Sequence, residues 1–232
     1  MTNDGQNAVL KEKHARDVIR WAIETFGSRI AVASSFSMED IAVIDMAVQV
    51  DKNIRVFAID TGRLNEETHE CAEAVRLRYN LTLEWVFPRT ERVESLVRER
   101  GLYSFRNSID ARRECCGIRK VEPLTRALLG LRGWITGMRR EQGVTRSALE
   151  KVETDSSHGG IMKINPLADW SLDEMNAYVS GRDLPVNRLH GRGYASIGCA
   201  PCTRAIRPGE EVRAGRWWWE DPEHKECGLH GR

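Results

Sequence analysis

The sequence predicts an α/β fold built on a parallel sheet, with an irregular C-terminal tail. Three observations carry this. Short apolar runs of strand length alternate with segments of helical periodicity at the spacing of βαβ units. Polar turns end two of the apolar runs, where ligands sit in such sheets. Past about Asn187 the texture changes to Gly, Arg, Cys and Trp, and no period holds.

Taken in order, Lys11 to Phe26 reads as an amphipathic helix with Val18, Ile19, Ala22, Ile23 and Phe26 on one stripe. Arg29 to Ser34 is a buried strand, followed by the turn Ser34-Ser35-Phe36-Ser37. Met38 to Val50 returns to helical periodicity. Ile54 to Asp60 is a second strand, ended by Thr61-Gly62. Glu66 to Tyr79 is a helix with a polar face, Leu81 to Val86 a third strand, and Arg89 to Arg100 a short helix. A helix over Arg119 to Leu129 precedes the strand Gly133 to Thr136. Ile161 to Ile164 adds a strand and Ser171 to Ser180 a last helix. The organisation expected is one α/β nucleotide-binding domain over 1–186 and a Cys/Arg/Trp-rich segment over 187–232.

With 35 Lys and Arg against 34 Asp and Glu, the net charge is +1. A nucleic-acid binder usually shows a clear basic excess, so that class is disfavoured. No run approaches a membrane span and the N-terminus has no apolar signal segment, so a cytoplasmic protein is expected. In that reducing setting the six cysteines are read as metal ligands or chemical groups and not as disulfides.

Cys115-Cys116, and Cys199 and Cys202 in CAPC, supply four thiolates, enough for one zinc or for the corners of a [4Fe–4S] cluster. Adjacent cysteines chelate one atom awkwardly but can each find a separate iron. The chemistry alone leaves a cluster, a zinc site and a dithiol switch open. Cys71 stands alone on a helix and reads as a small buried hydrophobe. Cys227, near the end of the chain, is the thiol left over. His230 and the preceding arginines favour its thiolate, and Glu226 opposes it.

Backbone N–H groups, hydroxyls and a helix N-terminus make Ser34 to Asp40 a candidate anion loop, although Ser at a helix start is commonly just a cap. Arg119-Lys120, Arg139-Arg140 and Arg213/Arg216 each lie beside one of these motifs. The planar fork of arginine suits phosphate and sulfate. Of Trp217-Trp218-Trp219, some are expected to pack the tail on the body or to form a partner surface.

Together the motifs SSFSMED, IDTGRLNEET, RRECCGIRKVEPL, TGMRREQ, GCAPCT, RAGRWWWE and ECGLH resemble the assimilatory sulfonucleotide reductases, in particular bacterial adenylyl-sulfate (APS) reductases with a [4Fe–4S] cluster. The resemblance runs from about Ala31 to His230. It implies the adenine-nucleotide α-hydrolase-like (PP-loop type) three-layer fold. It implies one [4Fe–4S] cluster on Cys115, Cys116, Cys199 and Cys202, with Cys227 as the nucleophile. Substrate-binding positions implied are Ser34, Ser35, Phe36, Ser37, Glu39, Asp40, Ile59, Asp60, Thr61, Gly62, Arg63, Lys120, Arg139, Arg213, Arg216 and His230. The implied reaction reduces APS to sulfite and AMP through a Cys S-sulfonate that thioredoxin resolves, in sulfate assimilation. Rival readings are a reductase of the 3′-phosphorylated nucleotide (PAPS), a zinc-stabilised nucleotide-binding module, and an ATP-dependent thiolation enzyme. The family's loop often carries small residues where this chain has Ser37-Met38, and the Ser-Gly-Gly signature of ATP-hydrolysing relatives is absent.

Overall fold

Apolar runs too short for helices form the strands, and the periodic segments between them form helices. The computed structural model describes residues 10–143 and 146–221. Its elements are α1 (Ala15–Phe26), β1 (Ile30–Ser34), α2 (Met38–Val50), β2 (Arg55–Ile59), α3 (Glu66–Tyr79), β3 (Leu83–Val86), α4 (Thr90–Arg100), α5 (Ile109–Cys116), α6 (Glu122–Ala127), β4 (Gly133–Ile135), β5 (Val152–Asp155), β6 (Ile161–Ile164) and α7 (Leu172–Gly181). The strands form one sheet in the order β3-β2-β1-β4-β6-β5. β1 pairs in parallel with β2 and with β4, and β4 with β6.

Two features depart from the expected elements. β5 runs antiparallel to β6 at the sheet edge; its sequence, VETD, has too little apolar content to read as a strand. The expected helix over Arg119 to Leu129 is present as α6 from Glu122, but it is preceded by α5, for which the sequence gives no helical pattern, and joined to it by a short π-helical segment, Gly117–Val121. Such π segments are frequent at functional sites. Here it begins one residue after Cys116.

α2 is apolar nearly all round and is buried from Glu39 to Ala47, as expected of a core helix. It packs against α1 and α7. Its buried Asp45 accepts hydrogen bonds from Tyr79 (2.8 Å), Tyr178 (2.6 Å) and Gln49 (2.8 Å), which satisfies the charge. Burial, and then the bond to Asp45, push both phenols well above their ordinary range.

Contacts divide the chain into two units. The first comprises 1–58, 66–84 and 130–188; the second comprises 59–65, 85–129 and 189–232. The tail expected to begin near 187 thus shares a unit with the segment carrying Cys115 and Cys116. No helix among the described residues is long and apolar enough to cross a membrane.

Candidate functional site: a phosphate-type loop and a thiol-lined recess

In the first unit, strand order reverses where β1 lies between β2 and β4, the position at which open α/β sheets bind ligands beyond the strand ends. Ser34 closes β1, and its Oγ accepts from Phe36 N at 3.0 Å. Phe36 is buried with φ +58°, a strained conformation for a bulky residue. Ser35 N and Oγ both donate to Asp40 Oδ2 at 2.7 Å. Ser37 caps α2 by accepting from Asp40 N at 3.3 Å. Burial pushes the Asp40 carboxyl up, against the lowering effect of the bonds from Ser35.

Beyond β4, Gly137 sits against this loop. A Cβ there would fall 2.5 Å from Asp40 Oδ1 and 2.8 Å from Asp40 N, so only glycine permits the approach. Arg139 is buried and donates to Glu39 Oε1 through Nε (3.1 Å) and Nη2 (2.9 Å) and to the Trp170 carbonyl (3.2 Å). Its guanidinium braces the loop through Glu39. The structure therefore brings together Ser34, Ser35, Phe36, Ser37, Glu39, Asp40 and Arg139.

The second unit gathers Cys115, Cys116, Cys199 and Cys202 around one recess, together with Arg63, Phe105, Arg112, Arg119, Lys120 and Trp217. α5 and the π segment after it supply the paired cysteines, Arg119 and Lys120. The CAPC turn is held by Cys202 N donating to Cys199 O (2.9 Å), Thr203 Oγ1 to Cys199 O (2.9 Å) and Ala200 N to Arg63 O (2.8 Å). Thr61 Oγ1 lies 3.2 Å from Cys199 Sγ, and the Thr61 carbonyl accepts from Arg119 Nη1 at 2.7 Å. Gly62 N donates to Asp60 Oδ1 at 2.7 Å. Of the turn Ile59 to Arg63, Arg63 lines the recess and Thr61 holds two of its residues, Cys199 and Arg119.

Trp217 is buried with φ +40°. Its ring faces three guanidinium groups, those of Arg216, Arg112 and Arg213, at 4.6, 4.8 and 5.9 Å. Trp217 Nε1, Arg119 Nε and Arg216 Nε are buried without a hydrogen-bond partner among the described residues. Burial raises the thiol of Cys202 to about 12 and raises that of Cys115. Cys199 is also pushed up by burial, but Lys120, the Thr61 hydroxyl, Arg216 and Arg63 outweigh this and lower it overall. All four are free cysteines. Among the described residues no three His, Cys, Asp or Glu side chains converge as they would on a single metal ion. Cys227 and His230 lie outside the described residues.

The motifs that make these two sites are distributed over most of the chain, and the model of the phosphoadenosine phosphosulfate reductase domain matches residues 29–205. The chain belongs to the phosphoadenosine phosphosulfate reductase family. Among curated members of that family, an adenosine 5′-phosphosulfate reductase of Burkholderia cepacia is 50 % identical over 202 residues, covering 87 % of this chain and 80 % of the relative. One from Allochromatium vinosum is 49 % identical over 203 residues, covering 88 % and 79 %. Among solved structures, phosphoadenylyl-sulfate (PAPS) reductase from Candida auris in a phosphate complex superposes with a TM-score of 0.75 at 29 % identity, covering 88 % of this chain and 96 % of that one.

Three residues beside these candidate sites are not singled out by the sequence. Gly137 was read only as part of TGMRREQ. Arg112 and Glu220 form a buried ion pair beside Trp217, which the charge pattern alone does not reveal because the partners are 108 residues apart.

Proposed function

We propose that the chain reduces adenylyl sulfate to sulfite and AMP, with Cys227 as nucleophile and thioredoxin as reductant, in the cytoplasm. The observation that carries this reading is the single recess lined by four thiols, Lys120 and buried donors that lack partners.

A [4Fe–4S] cluster fits this donor set. Its corners take four cysteine thiolates, and its sulfurs accept hydrogen bonds, the one thing Trp217 Nε1 and Arg119 Nε lack. Cys115, Cys116, Cys199 and Cys202 would hold it. When bound, such a cluster supplies a fixed negative charge that orders the surrounding cations.

The remaining chemistry belongs to the chain. Ser34 to Asp40, braced by Arg139, holds the adenylate, and Ile59 to Arg63 lines the adenosine. Lys120, Arg213 and Arg216 hold the phosphosulfate, and His230 assists at the same site. The Cys227 thiolate attacks the sulfonate sulfur, the S–O bond to the phosphate breaks, and AMP leaves with the electron pair. Negative charge grows on the departing phosphate, and each fixed donor aimed there is worth roughly 3–4 kcal/mol. Covalent capture divides one hard step into two easier ones. The paired cysteines and CxxC favour APS over PAPS as the substrate.

The test is to incubate the pure protein with APS without reductant and weigh the intact chain. The expected result is a mass gain of one sulfonate on Cys227, stoichiometric AMP, and about four irons per chain, in line with a [4Fe–4S] site. One zinc per chain with no adduct would replace this reading with that of a zinc-stabilised module.

A further inference from the structure

An aromatic group in the second unit extends from the thiol recess, whose wall includes Phe105, to exposed side chains. The Arg106 guanidinium is ringed by four aromatic side chains, its carbon lying 5.2 Å from the Tyr103 ring, 5.7 Å from Phe105, 5.7 Å from Trp218 and 5.5 Å from Trp219. Trp218 and Trp219 meet edge to face at 4.7 Å. Phe105 is buried and anchors the group from beneath. Its outer members stay in water: Leu102 is 60 % exposed, Tyr103 61 % and Trp218 38 %. Exposed apolar clusters of this kind mark interaction surfaces. Trp, Tyr and Arg are the residue types that dominate binding hot spots. Mutual stacking holds these side chains in place before a partner arrives, which lowers the ordering cost of association.

We propose that this face, centred on Arg106 and Trp218, is the docking surface for the dithiol protein that discharges Cys227. The inference rests on the two-stage reaction proposed above. The chain itself selects the occupant. The described residues end at Asp221, two positions past Trp219, and Cys227 follows six positions later. Six extended residues reach at most about 20 Å, so a protein that attacks the Cys227 sulfur must rest its body within that radius of the patch.

The discharge balances as follows. The partner's thiolate bonds to Cys227 Sγ, the bond from Sγ to the sulfonate sulfur breaks, and sulfite leaves with that electron pair. The partner's second thiol then attacks the partner's own first sulfur and loses a proton. Cys227 returns as a thiolate, and the partner, oxidised by two electrons, keeps an internal disulfide.

The experiment compares the holoprotein with Trp218→Ala, Tyr103→Ala and Arg106→Gln. Each is first loaded with APS, freed of nucleotide, and then discharged by reduced thioredoxin or by dithiothreitol, with sulfite measured. Adduct formation and dithiothreitol discharge should match wild type. Thioredoxin-driven kcat/KM should fall at least tenfold in Trp218→Ala, through KM. Thioredoxin discharge at the wild-type rate in all three variants would overturn the docking surface alone. So would an equal slowing with both reductants, or a change confined to self-association in the ultracentrifuge. No adduct on the wild-type chain would overturn the two-stage reaction, and the docking proposal with it.

Discussion

The pair Arg112–Glu220 lends itself to a quantitative test of what holds the second unit together. Glu220 Oε2 accepts from Arg112 Nη2 at 2.8 Å, and both carboxylate oxygens accept from Arg112 Nε, at 3.0 and 3.2 Å. The two side chains are 1 % and 4 % exposed. Water therefore offers neither charge an alternative partner, unlike the many exposed pairs of this chain, which are worth about 0–1 kcal/mol each. Removing one member strands the other in a dry site. Glu220→Ala or Arg112→Met should each cost about 3–5 kcal/mol, a Tm loss of roughly 6–20 °C at this chain length. Replacing both, as Arg112→Met with Glu220→Met, removes the stranded charge and should cost less than either single change. Denaturant unfolding of the holoprotein, read by tryptophan fluorescence, closes the double-mutant cycle. Single losses below about 1 kcal/mol, or a double loss equal to the sum of the singles, would refute the claim that this pair is desolvated and coupled.

Two further outcomes concern the first unit. Gly137→Ala drives a Cβ into Asp40 and Glu39; it should cost about 1–3 kcal/mol by overpacking and weaken AMP binding measured by calorimetry, whereas wild-type affinity would show that the close approach is dispensable. Burial raises the Asp40 carboxyl above 3.8 in the folded chain, so its contribution to stability is complete below pH 3.8 and is lost as the pH rises through the folded value. Asp40→Asn, which can still accept from Ser35, should therefore gain on wild type as pH rises from 3.8 and then hold a constant lead; urea midpoints across pH 3–8 test the sign, and a lead that shrinks with rising pH would refute it.

What could be read in the sequence follows the range over which each signal acts. RIAVAS and IRVFAID are apolar over a whole strand, so β1 and β2 were legible from local composition, as was α2 from its apolar run of helical length after a Ser cap. β5 was not, because its four residues become a strand by pairing with β6 and not by their own apolarity. The paired cysteines were legible as residues that carry chemistry, and the structure places them in one recess with Cys199 and Cys202, but their helix was not, since α5 draws its stability from packing and not from a stripe of its own. Thr61 against Cys199 and Arg112 against Glu220 join positions 138 and 108 residues apart, which no local pattern reports. Arg139 was legible as a charge near the loop. That its charge is already engaged by Glu39, 100 residues away, needed the coordinates.

The two units differ in what can hold them folded. The first has a long list of fully buried aliphatic residues, from Val18 and Ile19 through Ile41, Val43, Ile44 and Ile135. The second has a buried cluster of Leu96, Phe105, Cys115, Cys199, Cys202 and Trp217, so half of its members are thiols. The same unit also buries Val86, Leu124, Ala127, Leu128 and Leu189, but the part that contains the thiols has few aliphatic neighbours of its own. The four thiols come from separate stretches of chain, and buried donors beside them lack partners. On the proposed reading the cofactor therefore does structural work: it joins α5 to the CAPC turn, satisfies Trp217 and Arg119, and shares one equilibrium with the folding of its unit. The cations Lys120, Arg213 and Arg216 lie in that same unit, so on that reading a cluster that passed no electrons would still act on catalysis by fixing where those charges stand.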